Sequence, residues 1–295
     1  MPSSREPGSL TRREVLRGLA AVSVGTATGT AAHGFFYARH HVEVTRTVLR
    51  VANLPAALSG LRIGFMTDLH RSATVPHELI ENAARLLMAD RPDLIILGGD
   101  YVTWGGDGDH DGDREFVEPA ADALKSLSAP HGVFGVLGNH DDDRDMPAAL
   151  MANGFAVLRD ARTRLTIRNH SLELAGIRFW TRRASDIAAV LRGATAPVIL
   201  LAHDPRRLTE AAALSVPLVL SGHTHGGQVV LPGLGAIAAQ KFPVVSGFGR
   251  EEKTTLFVSK GVGTVYVPVR INCRPEVAVL TLRPGDPAAI RSKRR

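Results

Sequence analysis

Cysteine is almost missing from this 295-residue chain, with Cys273 as its single example. One thiol cannot close an intrachain disulfide, so the fold depends on its core rather than on covalent staples. A chain of this length can bury most of its apolar surface without them, and Cys273 itself reads as a small buried hydrophobe. Aromatic residues are also scarce, at 5%. They are not interleaved with basic residues, and no nucleic-acid-binding motif occurs. The net charge of +6 therefore makes no case for a nucleic-acid partner. Also lacking is a strongly apolar run of about 20 residues, the length a stable membrane span needs. No internal repeat is visible. What remains is ordinary globular composition, 44% hydrophobic and 22% charged, sized for one large α/β domain or two small ones.

The two ends differ from the body. Thr11-Arg12-Arg13-Glu14-Val15-Leu16-Arg17 resembles the twin-arginine export consensus, and Gly18 to Ala32 carries no charge. That stretch is rich in Ala, Gly and Thr, the weak hydrophobicity of a twin-arginine signal, with small residues at Thr30-Ala31-Ala32 for cleavage. Residues 1–40 are thus expected to be an export signal or N-terminal anchor. The export machinery would be a partner, and the protein would sit at the periplasmic or extracellular face of the cytoplasmic membrane. Export in folded form agrees with metal loading in the cytoplasm and with the near absence of cysteine. Residues 41–284 form the expected domain. Residues 285–295 form a basic tail expected to be unstructured.

Between these ends, short apolar runs alternate with helical patterns. Strands are expected at 41–51, 61–67, 94–97, 132–137, 198–201, 218–220, 256–258, 265–267 and 277–282. Two or three more fall within 157–179, around an Asn169-His170 turn. Helices are expected at 76–89, 115–127, 147–152 and 185–191. Polar clusters follow the strands: Thr67-Asp68-Leu69-His70, Gly98-Gly99-Asp100-Tyr101, Gly138-Asn139-His140-Asp141, Ala202-His203-Asp204 and Ser221-Gly222-His223-Thr224-His225-Gly226-Gly227. Ligands collect at the carboxyl ends of strands in α/β sheets, so these clusters are expected to converge. Any one of the histidines is more often a satisfied structural residue than a ligand. The ordered set is different: carboxylate, imidazole and amide donors suited to divalent transition metals, flanked by glycines that let the backbone approach an ion.

On these motifs the sequence resembles the calcineurin-like metallophosphoesterase superfamily, from about residue 61 to about 282. Gly-Asp-Tyr-Val at Gly99–Val102, His-Thr-His-Gly-Gly-Gln at His223–Gln228 and the Asn272–Glu276 stretch resemble its exported bacterial phosphodiesterase branch (YkuE/YaeI-like). The resemblance implies an α/β fold, a four-layer α-β-β-α sandwich with two mixed β-sheets. It implies two divalent metal ions, with Mn, Fe and Zn all compatible with the donors. Asp68, His70 and His225 would hold one ion; Asn139, His203 and His223 would hold the other; Asp100 would bridge them. His140 would act as general acid or as a clamp on the phosphoryl oxygen, and Asp141 would orient His140 or nearby loops. Two cations about 3.5–4 Å apart would neutralise a phosphodiester and generate the attacking hydroxide.

The expected activity is hydrolysis of a phosphodiester or pyrophosphate in a cell-envelope or lipid-linked substrate, by a monomer. A phosphomonoesterase and a non-catalytic phosphate-binding module are the alternatives. A protein serine/threonine phosphatase fits poorly, because Gly99-Asp100-Tyr101-Val102-Thr103 lacks that branch's Asp-Arg-Gly continuation. The substrate pocket is expected from the loops after Asp100 and His140 and from Gln228 to Arg250. Asp107 to Glu118 matches the EF-hand loop pattern, but Trp104-Gly105-Gly106 supplies no entering helix, so it reads as an acidic loop. Arg182 and Arg183 read as solvated surface.

Overall fold

A computed structural model describes residues 12–103 and 114–286. The EF-hand-like run of acidic residues up to Asp113, Trp104, and the basic residues from Arg291 onward lie outside the described residues, as does Thr11. Among the described residues, twelve strands form two six-stranded sheets. In chain order they are β1 Glu43–Val51, β2 Arg62–Met66, β3 Leu94–Leu97, β4 Val133–Gly135, β5 Ala156–Val157, β6 Ala161–Ile167, β7 His170–Gly176, β8 Val198–Leu201, β9 Leu218–Ser221, β10 Gly247–Glu251, β11 Thr254–Val258 and β12 Glu276–Pro284. The first sheet has the order β1-β12-β2-β3-β4-β5 and the second β10-β11-β9-β8-β7-β6. Both are mixed: β2, β3 and β4 run parallel, as do β7, β8 and β9, while β12 opposes β2 and β10 opposes β11.

The α-helices among the described residues are α1 Arg12–Phe36, α2 His77–Ala89, α3 Val117–Asp122, α4 Asp145–Ala152, α5 Ala184–Leu191 and α6 Leu208–Ala213. The layers follow from strands that are apolar on both faces. In β3, Leu94 and Ile96 join the core between the sheets, while Ile95 and Leu97 pack with Ile80, Ala83 and Leu87 of α2. In β8, Ile199 and Leu201 turn inward, while Leu200 joins Ile187 of α5 and Ala211 of α6. The result is the expected α-β-β-α sandwich.

Several local expectations are corrected. Residues 265–267 form no strand. Tyr266 has φ 59°, and the carbonyls of Val265 and Val267 accept the Gln228 side-chain amide at 3.1 and 2.7 Å rather than a neighbouring strand. The hairpin turn is Arg168-Asn169, with φ 50° and 62°, and His170 already belongs to β7. The helix expected at 115–127 is regular only over Val117–Asp122 and ends in tight turns, with Leu124 N–H donating to Ala121 O at 3.0 Å. Strand β10 and helix α6 had no clear periodic signal. At the N-terminus, α1 is a 25-residue helix, and none of the described helices is long and apolar enough to cross a membrane.

Candidate metal centre

The site forms where the carboxyl ends of strands from both sheets meet. From the first sheet, Asp68 and His70 follow β2, Asp100 follows β3, and Asn139, His140 and Asp141 follow β4. From the second, His203 follows β8, and His223 and His225 follow β9. His223 N–H crosses between the sheets to Asp68 Oδ1 at 2.9 Å, and within each sheet neighbouring loops are tied to one another. Asp68 N–H donates to Gly99 O at 2.9 Å, His70 N–H to Asp100 O at 3.1 Å, and Gly222 N–H to His203 O at 3.1 Å.

This convergence needs unusual backbone. Asp68, His70, Asp100, His223 and His225 all have φ between 48° and 71°. Each left-handed non-glycine residue costs about 1–2 kcal/mol, and such conformations concentrate at functional sites held by their surroundings. Glycine is required beside them. A Cβ on Gly138 would stand 2.0 Å from Asp100 Oδ1, and one on Gly222 would stand 2.2 Å from Asp68 Oδ2.

The side chains gather as the motifs imply. One oxygen or nitrogen from each of Asp68, His70 and His225 falls within 4.8 Å of the others, and the same holds for Asp100, His203 and His223. Asp100 links the groups: its Oδ2 lies 3.0 Å from His203 Nε2 and 3.6 Å from His70 Nε2. His70 Nε2 and His225 Nε2 face each other at 3.0 Å. Asn139 borders the same cavity as Asp100, His223 and His225, and its Oδ1 is buried without a hydrogen-bond partner. His140 is half-buried, with its ring 4.9 Å from that of His70, and its backbone N–H donates to Asp100 Oδ1 at 2.9 Å.

The Asp141 carboxylate does not face the centre. It accepts the backbone N–H groups of Asp100, Tyr101 and Gly138 at 2.7, 2.7 and 2.8 Å. It therefore fixes the turn carrying Asp100 against the turn carrying His140. His203 is oriented in the same spirit, with Nδ1 2.8 Å from Gly98 O.

Electrostatics shows what the cluster lacks. Burial pushes Asp68 up to about 6. Burial would raise Asp100 too, but His203, His70 and His140 hold it well below the usual carboxylate range. Burial opposes a charge on His203, yet Asp100 and Asp68 push it up to about 10. Burial lowers His70 to about 3 and, with the His203 charge, His223 to about 4; it also drives His225 well below its ordinary value. One imidazolium thus faces two buried carboxylates, while three neutral imidazoles and an unpartnered amide oxygen offer lone pairs. Divalent cations satisfy those donors and that charge, so the residues fit a metal centre.

One supporting residue gave no sequence signal. Arg270 is wholly buried, and its guanidinium donates to the carbonyls of Lys260 at 2.9 Å, Gly261 at 3.1 Å, Gly263 at 3.1 Å and Cys273 at 3.3 Å. Gly261 and Gly263 pack directly under Asp68 and Leu69, so Arg270 braces the floor of the site. Cys273 is buried as expected, and its thiol donates to His225 O at 3.2 Å.

Two cavities meet at His140. One, of about 460 Å³, is lined by Asp100, Asn139, His223 and His225 at its base and by Leu231, Ile237 and Val267 among its walls. The other, of about 240 Å³, is lined by Arg114, Asp142, Arg178, Phe179 and Trp180. The loop after His140 and the start of the Gln228–Arg250 segment contribute walls as expected, but residues 265–267 and 178–180 were not anticipated. Tyr101 is buried and packs in the core. Arg182 and Arg183 are both exposed, and Arg182 lies 4.9 Å over the Trp180 ring.

Comparison with known proteins agrees with this geometry. The chain is 31% identical over 285 residues to phosphodiesterase YaeI of Escherichia coli strain K12, covering 92% of this chain and 99% of that protein. It is 29% identical over 288 residues to metallophosphoesterase YkuE of Bacillus subtilis strain 168, covering 93% and 98%. A metallophosphoesterase of Aquifex aeolicus strain VF5 is 30% identical over 256 residues, covering 83% and 93%. The sequence pattern of the calcineurin-like phosphoesterases matches residues 61–227, which hold every candidate ligand from Asp68 to His225. Pattern, near full-length relatives and fold agree, and the chain belongs to the calcineurin-like phosphoesterase family.

Proposed function

We propose that the protein is a dinuclear metal-dependent hydrolase of phosphodiester or pyrophosphate bonds. The observation that carries this reading is the pair of ligand groups linked by Asp100, which lies within 3.6 Å of both His70 and His203, at the base of a cavity that also presents His140. Asp68, His70 and His225 would hold one ion, Asn139, His203 and His223 the other, with Asp100 common to both. Manganese, iron and zinc suit these donors. Bound there, the two ions would neutralise the phosphate charge and acidify a water.

The chain's own groups supply the rest. His140 stands at the junction of the two cavities, placed to donate a proton to the leaving oxygen or to hold a phosphoryl oxygen. Asp141 holds the two turns that carry Asp100 and His140. Phe179, with its ring 5.2 Å from His223 and 6.0 Å from His203, shields the ligands from water. Space on both sides of His140 admits a substituent on each side of phosphorus, which favours a diester over a monoester. The apolar walls of the larger cavity favour a substrate with an apolar arm, as in a lipid-linked envelope compound. The twin-arginine-like segment supports export and action at the outer face of the cytoplasmic membrane.

The test is hydrolysis of bis(p-nitrophenyl) phosphate and p-nitrophenyl phosphate by metal-free, manganese-loaded and His140→Ala protein. The expected result is metal-dependent diester cleavage, reduced about 10²–10⁴-fold in His140→Ala with metal retained. A preference for the monoester would make the protein a phosphatase. Full metal with no turnover on either compound would favour the non-catalytic binding module.

A further inference from the structure

The mouth of the larger cavity is built from two loops almost without charge. Between Val229 and Val245 the only charged side chain is Lys241; between Gly261 and Ile271 it is Arg270, which is buried. Neither loop contains a carboxylate. Leu234, Ile237, Tyr266 and Val267 stand out from them with 63, 54, 89 and 56% exposure. Single exposed apolar residues are ordinary, but a cluster around a cavity mouth marks a contact surface. The first loop presents its leucine on a firm turn. Leu231 and Gly235 exchange backbone hydrogen bonds of 3.0 and 2.8 Å, and Gly233 and Gly235 take φ of 78° and 71° to close it.

A second apolar element starts from the same place. Near its end, α1 packs on the 261–271 loop: Arg270 N–H donates to Gly34 O at 3.3 Å, and a Cβ on Gly34 would stand 2.9 Å from the Val269 side chain. Along its length α1 exposes Leu19, Val22 and Val24, and Phe36 at its end is 75% exposed. Its first turns carry Arg12, Arg13 and Arg17.

We infer that this face docks on a lipid bilayer containing anionic headgroups. The two loops and α1 place apolar side chains into the interface, while Lys241 and the arginines of α1 meet lipid phosphates. The lack of carboxylates in the two loops fits such a surface, which would repel them; α1 carries one, Glu14, among its three arginines, and the net charge of +6 draws the protein toward the surface. A protein partner fits less well. Protein interfaces carry a polar rim with about one hydrogen bond per 100–200 Å², and from Val229 to Val245 only Gln240 and Lys241 have polar side chains. Docked this way, the cavity opens at headgroup level. The inference extends the hydrolase reading by assigning where the substrate is met, and its test reads membrane binding rather than turnover.

The full chain is sedimented with vesicles of phosphatidylcholine, alone or mixed with phosphatidylglycerol. The expected result is binding to the mixed vesicles, weakened at least about tenfold by Leu234→Glu and by the uncharged Leu234→Gln. Both variants should still cleave bis(p-nitrophenyl) phosphate as the parent protein does. Absence of parent binding to the mixed vesicles, or binding unchanged in both variants, overturns the inference. So does self-association of the parent through this face, which would make a second copy its occupant. Vesicle binding without any hydrolysis would instead count against the hydrolase reading alone.

Discussion

At the scale of single residues, much of the site rests on groups that never touch a substrate. Arg270 is the clearest case. Replacing it with Met would leave a set of buried carbonyls without donors, each worth about 1–3 kcal/mol when unsatisfied. Arg270→Met is expected to lower stability by at least about 3 kcal/mol and to release metal, measured by denaturant titration and bound-metal analysis. Arg270→Lys should recover part of both. The candidate ligands were legible in the sequence as short local motifs, and the structure brings their side chains together. Arg270 was not, because its burial depends on carbonyls from five positions, Lys260, Gly261, Gly263, Cys273 and His225, which no spacing reveals. Asp141 was legible as a motif member, but only the structure shows its carboxylate turned to the backbone amides of Asp100, Tyr101 and Gly138.

At the scale of elements, the turns after the strands store the strain and set the pH response. Gly138 and Gly222 press against Asp100 and Asp68. Gly222→Ala is expected to push Asp68 out of register and abolish tight metal binding, while the sheets keep their far-ultraviolet circular dichroism. In the metal-free protein His203 holds a proton up to about pH 10, and Asp68 holds one up to about pH 6. Both must leave for the donors to bind a cation. Apparent metal affinity should therefore rise with pH, by up to about tenfold per unit between pH 6 and 10 for the His203 proton, and more steeply below pH 6. Calorimetry in buffers of different ionisation enthalpy would detect the released proton; an affinity flat with pH would show that His203 is neutral before metal binds.

The strands carrying the motifs were read correctly because they are short apolar runs bounded by glycine and polar residues. Residues 265–267 alternate like a strand, yet the Gln228 side chain takes their carbonyls. Strand β10, Gly-Phe-Gly-Arg-Glu, has little apolar content and forms through its pairing with β11. Local pattern could decide neither.

At the scale of the whole molecule, neither sheet makes the candidate centre alone. The first contributes Asp68, His70, Asp100, Asn139 and His140, and the second contributes His203, His223 and His225. The inter-sheet core, with Phe65 and Phe257 edge to face at 6.2 Å, sets their separation. Metal binding should thus clamp one sheet to the other. Saturating manganese is expected to raise the melting temperature of the metal-free protein, as any ligand bound by the native state alone must, and the rise should vanish with a chelator.

The most direct test of this composite centre is a manganese titration of metal-free protein that follows bound metal and diester hydrolysis together. The account predicts two ions per chain, with hydrolysis appearing only as the second binds, and loss of both tight binding and hydrolysis in Asp100→Asn. Hydrolysis by the metal-free protein, or two ions bound tightly by Asp100→Asn, would contradict it.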